Sequence, residues 1–127
     1  MSKKIVLIDD DVDFVEINKN LLEKEGYTVE VAYDGSEGLE KVKAVKPDLV
    51  ILDVMMTVAD EGFNVAREIK EDENLRNVPI LMLSSINKQP NYNWQFGPDD
   101  RWNPVDLFLD KPVKPADLLE KVKKLTA

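Results

Sequence analysis

The sequence predicts an α/β fold, a doubly wound parallel sheet of five strands with helices on both faces. Two patterns support this prediction. Short apolar runs rich in β-branched residues recur along the chain, as in strands that are buried on both faces of a sheet. Segments with apolar residues three and four positions apart follow them, as in amphipathic helices, and right-handed crossovers place such helices on both faces of the sheet.

The first strand and helix are predicted at the start of the chain. Residues Ile5–Ile8 form a continuous apolar run that ends at three consecutive aspartates, Asp9, Asp10 and Asp11. Asp11 is suited to cap a following helix and Gly26 to end it. The positions of this helix that we expect to face the core are Phe14, Ile17 and Leu21.

The second and third strands follow. Residues Thr28–Ala32 alternate as in a short strand, and Ser36–Val45 has the pattern of a helix, which Pro47 would end because proline cannot continue one. The third strand, Leu49–Leu52, is wholly apolar and leads directly into Asp53. Two buried strands therefore end on a carboxylate.

The remaining elements are predicted from the same patterns. The next element is a helix from Phe63 to about Asp72. Two strands follow it: Pro79–Leu83, which ends on Ser84, and Val105–Leu109, which ends near Lys111. Proline, glycine, asparagine and glutamine make a regular helix doubtful between residues 87 and 103, where four aromatic residues either cover the core or form a partner surface. The apolar side of the helix that begins at Phe63 carries Val65, Ala66 and Ile69. A closing helix is predicted from the spacing of Leu118, Leu119, Val122 and Leu125.

Composition restricts the function. The 127 residues have the size of one domain, assigned to residues 1–127, and no apolar run is long enough for a membrane span or a secretion signal, so we expect a cytoplasmic protein without a membrane partner. The net charge of −8, without a basic stripe, argues against nucleic-acid binding. The absence of histidine and cysteine excludes metal sites and nucleophiles built from them.

Polar side chains follow four of the predicted strands. Because the carboxyl ends of parallel strands meet at one edge of a sheet, we expect Asp9, Asp10, Asp53, Ser84 and Lys111 to share a crevice. Three neighbouring carboxylates repel one another unless a cation offsets their charge. A site made of oxygen ligands favours Mg²⁺, with Mn²⁺ as the alternative.

Beside such a cation, a carboxylate can act as a nucleophile toward phosphorus and form an acyl phosphate. Asp53 is the predicted nucleophile because it stands alone at its strand end, whereas Asp9 and Asp10 are adjacent and suited to sharing a cation. The Lys111 ammonium would pair with the phosphoryl oxygens and the Ser84 hydroxyl would hydrogen-bond them.

The order of these residues resembles that in the receiver domains of two-component response regulators, over essentially the whole chain. In that family an acidic pair follows the first strand, the phosphorylated aspartate ends the third, a serine or threonine ends the fourth and a Lys-Pro pair follows the fifth. The matching residues are Asp9-Asp10, Asp53, Ser84 and Lys111-Pro112. The resemblance implies a flavodoxin-like sheet with strand order 2-1-3-4-5.

The resemblance also implies roles for individual residues. Asp10, Asp53 and the backbone carbonyl of Met55 would bind Mg²⁺, with Asp9 reaching it through water. Ser84 and Phe108 would form the conformational switch, and Lys111-Pro112 would have a cis peptide bond. A sensor histidine kinase would donate the phosphoryl group to Asp53. The domain would assist its own phosphorylation and dephosphorylation, without being a multiple-turnover enzyme, and would switch the binding of a downstream protein that the residues do not identify.

Two segments depart from the family pattern. Residues 56–62 lack the usual proline and carry one additional residue, and the segment between Ser84 and Lys111 is longer than the family pattern predicts. The altered loop after Asp53 motivates one alternative, a receiver-like interaction module that works without phosphate and acts only by protein contact.

Two further alternatives start from the aspartates after the first strand. Asp9 and Asp11 resemble the nucleophile motif of haloacid-dehalogenase-like phosphatases, but the chain is short for that family and Asp53 would have no role. A helix-loop-helix calcium loop does not fit, because Phe14 and Asn20 occupy the positions that require glycine and glutamate.

Overall fold

Strands and helices alternate along the chain in the computed structural model, which describes residues 3–53, 61–84, 107–110 and 113–126. Within these residues there are five strands and four helices. The strands are β1 Lys4–Ile8, β2 Thr28–Ala32, β3 Leu49–Asp53, β4 Ile80–Ser84 and β5 Leu107–Asp110, and the helices are α1 Val12–Lys24, α2 Gly35–Val45, α3 Glu61–Glu71 and α4 Pro115–Thr126.

The strands form one parallel sheet in the order β2-β1-β3-β4-β5, which confirms the predicted fold class and strand order. β1 and β3 lie at the centre and pair with each other, with Ile8 opposite Leu52. Asp53, the last residue of β3, pairs with Leu83 of β4. The ends of β1 and β3 that carry the predicted site residues are therefore adjacent.

The core lies on both faces of the sheet, because alternate strand residues point to opposite faces. On one face, Ile8, Leu52 and Met82 belong to a buried cluster with residues of α2 and α3. On the other face, Leu7, Ile51 and their neighbours pack against α1 and α4. The wholly apolar strands follow from this double burial.

Helix α1 has the predicted ends, and Phe14 and Leu21 pack against the core as predicted. The Asp11 side chain accepts a hydrogen bond from the Phe14 N–H at 3.2 Å, as an N-cap does, and Gly26 has a φ of +96° just after the helix. The prediction that Ile17 faces the core is wrong, since it is 64% exposed. Ile17 follows the buried Val15 by two residues. Two residues correspond to a rotation of about 200° around the helix, so the two side chains lie on opposite faces.

Other boundaries differ from the prediction by one or two residues. Helix α2 begins at Gly35 rather than Ser36 because Asp34 caps it, and α3 begins at Glu61 rather than Phe63. Pro79 precedes β4 rather than belonging to it, although its carbonyl accepts a hydrogen bond from the Val50 N–H at 3.0 Å. The predicted start of the fifth strand at Val105, and the segment 87–103, lie outside the described residues.

In the described ranges, none of the helices combines the length and the apolar character needed to cross a membrane.

Candidate functional site

Asp9 directly follows β1 and is held by backbone groups on two sides. Its N–H donates a hydrogen bond to the carbonyl of Ala32, the last residue of β2, at 3.1 Å. Its Oδ1 accepts a hydrogen bond from the Asp11 N–H at 3.0 Å. The side chain is fully buried, so these contacts fix a carboxylate in the interior at the end of β1.

Asp10 and Asp53 complete the acidic group from different positions. Asp53 ends β3 and is only 4% exposed, whereas Asp10 is exposed. The pairing of β1 with β3 brings their ends together at one edge of the sheet. The group is therefore buried on one side and open to solvent at Asp10.

The three carboxylates form a compact cluster. One ligand oxygen from each of Asp9, Asp10 and Asp53 lies within 4.8 Å of the others. Two fully ionised groups at about 4 Å repel each other by on the order of 4 kcal/mol at an effective dielectric constant of about 20. A divalent cation would offset this repulsion, and carboxylate oxygens without nitrogen or sulfur ligands suit Mg²⁺.

The predicted convergence of these three side chains is thus confirmed, and the donor set fits the predicted ion. The separate roles of the residues, with Asp10 and Asp53 as direct ligands, Asp9 acting through water and Asp53 as nucleophile, remain predictions. The cluster is chemically able to bind a cation and to present one buried carboxylate beside it.

The structure places the other predicted site residues only in part. Ser84 is the last residue of β4, opposite Asp110 of β5, and Phe108 lies opposite Met82, so their backbones belong to the two strands beyond β3. Their side chains lie outside what the structure describes. The predicted roles of Ser84 and Phe108 in phosphoryl contact and switching therefore stay predictions.

Met55, Lys111 and Pro112 lie outside the described residues altogether. The carbonyl ligand, the phosphoryl-pairing ammonium and the cis peptide bond assigned to them likewise stay predictions. Lys111 directly follows Asp110, the last residue of β5, in the chain.

The contacts at the start of α2, next to the end of β1, were not predicted from the sequence. Asp34 caps α2 by accepting a hydrogen bond from the Glu37 N–H at 2.8 Å, and Glu37 Oε1 accepts one from the Tyr33 N–H at 3.0 Å. Gly38, in the next position, packs against Ile8. The signals were present in the sequence: an aspartate followed three residues later by a glutamate indicates a helix start, and a glycine inside a helical pattern indicates close packing.

The chain is similar to known proteins over almost its whole length. The model of the response regulator receiver domain family matches residues 5–123. Among curated proteins, the alkaline phosphatase synthesis transcriptional regulatory protein PhoP of Bacillus subtilis is 33% identical over 98% of this chain. The match covers 49% of that protein, so the chain spans about half the length of this relative.

Solved structures agree with the family match. The response regulator TrrA of Thermotoga maritima, solved in complex with Mg²⁺ and BeF, is 31% identical, with a TM-score of 0.79 and coverage of 97% of this chain and 98% of that chain. The receiver domain of a sensor histidine kinase from Pseudomonas aeruginosa, with a magnesium ion in its active-site cleft, is 26% identical, with a TM-score of 0.81 and coverage of 99% of this chain and 98% of that chain.

Proposed function

Because the chain belongs to the response regulator receiver domain family, we propose that it accepts a phosphoryl group from a sensor histidine kinase on Asp53, with Mg²⁺ bound by the cluster that contains Asp9 and Asp10. The chain is a signalling domain of two-component systems. The observation that carries the proposal is the approach of three carboxylates to within 4.8 Å at the carboxyl edge of the sheet.

In the proposed transfer, an Asp53 carboxylate oxygen attacks phosphorus. A bond from oxygen to phosphorus forms, the bond from nitrogen to phosphorus of the donor phosphohistidine breaks, and the imidazole leaves with the electron pair and takes up a proton. Asp53 is only 4% exposed, so it presents little surface to water. Bound Mg²⁺ would reduce the repulsion between the anionic nucleophile and the anionic phosphoryl group.

The metal assignment is supported by the donor set and by relatives. Asp9 and Asp10 supply carboxylates next to Asp53, and we assign the Met55 carbonyl as a further ligand. The magnesium in the cleft of the Pseudomonas receiver domain, and the Mg²⁺ and BeF in TrrA, support an equivalent site in this fold. Mn²⁺ would suit the same oxygen ligands.

The proposed output is a shift between two conformations. Lys111 would pair with the new phosphoryl oxygens, and Ser84 would hydrogen-bond them and move together with Phe108. We propose that this shift, in a receiver domain spanning residues 1–127, changes the binding of a downstream protein. The chain then acts once per phosphorylation cycle rather than as a multiple-turnover enzyme.

Incubation with Mg²⁺ and acetyl phosphate, followed by intact-mass measurement, tests the proposal. The unchanged chain should gain one phosphoryl group and Asp53→Asn should gain none, because an amide is not a nucleophile toward phosphorus here. Asp48→Asn is the matched control, since Asp48 directly precedes β3, five residues before Asp53, and so lies at the opposite edge of the sheet. It should be phosphorylated like the unchanged chain.

Three results would contradict the proposal. Equal phosphoryl gain by Asp53→Asn would remove Asp53 as the acceptor. No adduct and no response to Mg²⁺ in the unchanged chain would instead favour an interaction module that does not use phosphate. Sustained hydrolysis of a small phosphate ester that needs Asp9 but not Asp53 would favour the phosphatase alternative.

A further inference from the structure

Helix α2 lies very close to β1 at Gly38. A Cβ built on this residue would lie 2.5 Å from Ile8 Cδ1, 2.8 Å from Ile8 Cγ1 and 2.9 Å from Ile8 Cγ2. Contacts below 3.0 Å do not persist between real side chains. Glycine weakens the interior of a helix relative to alanine, so the close approach gives a reason for glycine at this position.

Ile8 is a sensitive point for such a contact. It is fully buried and is the last residue of β1, directly before Asp9. Its partner across the sheet, Ala32, accepts the Asp9 N–H at 3.1 Å. A contact that displaces the Ile8 side chain far enough to shift its backbone would therefore move the acidic pair and strain the hydrogen bond of Asp9 to β2.

The start of α2 is itself fixed to the end of β2. The Gly38 N–H donates to the Asp34 carbonyl at 2.9 Å, and Asp34 Oδ1 accepts the Glu37 N–H at 2.8 Å. Glu37 Oε1 accepts a hydrogen bond from the Tyr33 N–H at 3.0 Å. These bonds link residues 33–38 to one another, so a movement of the helix start that makes room for a larger side chain at position 38 would strain them.

We propose that Gly38 is a positioning residue for the metal site: its missing side chain lets α2 pack on Ile8, and this packing fixes the geometry of Asp9 and Asp10. The inference rests on the proposed function, since it concerns the Mg²⁺ affinity of the same cluster. It adds a residue that touches neither metal nor phosphoryl group.

The test compares Mg²⁺ affinity with stability, because a merely structural residue would change only the second. Mg²⁺ dissociation constants of the folded protein are measured by isothermal titration calorimetry, and melting temperatures by circular dichroism. Gly38→Ala should weaken Mg²⁺ binding by about three- to tenfold, at or below the weak end of the 10–100-fold cost of losing outer-shell support. Adding Ile8→Val, which removes the nearest atom, Cδ1, should restore part of the affinity.

Val42→Ala is the matched control. Val42 is fully buried one turn further along α2, in the same core cluster as Ile8. The substitution should lower the melting temperature because it leaves a cavity, but it should keep the Mg²⁺ affinity within about twofold. Equal loss of affinity in Val42→Ala and Gly38→Ala, or unchanged affinity in Gly38→Ala, would overturn the inference and leave the proposed function intact.

Two further outcomes are separable. If the unchanged chain does not bind Mg²⁺, both the proposed function and this inference are overturned. If Gly38→Ala does not fold, the Mg²⁺ affinities of Glu37→Ala and Glu37→Gln are compared instead. Of these two variants, only Glu37→Gln retains an acceptor oxygen for the Tyr33 N–H. Weaker Mg²⁺ binding by Glu37→Ala than by Glu37→Gln would support positioning by this segment, and equal binding would overturn it.

Discussion

At the amino ends of the strands, Asp48 accepts a hydrogen bond from the Lys4 N–H at 2.8 Å, and its own N–H donates to the Lys4 carbonyl at 2.7 Å. At the carboxyl ends, Asp9, Asp10 and Asp53 bring oxygens to within 4.8 Å of one another. At the amino ends of the strands a carboxylate is hydrogen-bonded to a backbone amide, whereas at the carboxyl ends three carboxylates lie close together. The first arrangement stabilises the fold, and the second provides a reason to bind a cation.

This comparison predicts that changes at the two edges affect different properties. Substitutions at the amino edge should alter the free energy of unfolding and leave Mg²⁺ binding unchanged. Substitutions within the acidic cluster should make stability depend on Mg²⁺.

The largest expected effect is stabilisation by Mg²⁺ itself. At a concentration ten times the dissociation constant, a ligand that binds only the folded state adds about 1.4 kcal/mol. For a domain of this size, that should raise the melting temperature by about 5 °C. Differential scanning calorimetry with Mg²⁺ and with EDTA measures the shift, which should be retained in Asp48→Asn.

Asp10→Asn should change the melting temperature in opposite directions with and without Mg²⁺. In EDTA this variant should melt above the unchanged chain, because one of three mutually repelling charges is gone. In Mg²⁺ it should melt below the unchanged chain, because a ligand is gone as well. If the order of the two melting temperatures is the same in both conditions, the cluster is not a cation site.

An intermediate effect is expected at the amino edge. Asp48→Ala removes the acceptor of the Lys4 N–H and should lower the free energy of unfolding by about 1 kcal/mol. Asp48→Asn keeps an acceptor oxygen and should cost less than half of that. Urea unfolding measures both, and a change in Mg²⁺ affinity in either variant would break the separation between the edges.

The smallest effect is expected at Lys46, just before β3 begins. Lys46 ends α2 with a φ of +50°, in the left-handed region that favours glycine. Lys46→Gly should raise the free energy of unfolding by about 0.5 kcal/mol, the relief of strain being partly offset by the greater freedom of glycine in the unfolded chain. Lys46→Ala retains the strained backbone and should give no increase, which urea unfolding would check.

Much of the fold could be predicted because apolar runs and turn residues are local signals. The strand Thr28–Ala32 has the predicted bounds, and the family predicted from the strand ends is confirmed by the match over residues 5–123. The convergence of Asp9, Asp10 and Asp53 follows from the parallel order of the strands.

Features that depend on packing were not predictable in the same way. Ile17 carries an apolar side chain at a helical spacing, yet it points to solvent because the inward face of α1 is centred on Val15 and Leu22. The contact between Gly38 and Ile8 joins residues 30 positions apart, and its closeness depends on how α2 lies on the sheet. Local patterns contain no information on such distances.

The central position of β1 and β3 has a consequence for local opening of the protein. Each has a hydrogen-bonded strand on both sides, whereas β2 and β5 lie at the two ends of the strand order. Amide hydrogens of Val6 to Ile8 and Val50 to Leu52 should therefore exchange with solvent only through global unfolding, while those of the outer strands exchange through partial opening. The residues that hold Asp9 and Asp53 would thus belong to the part of the molecule that opens last, so thermal fluctuations of the outer strands need not disturb the acidic cluster.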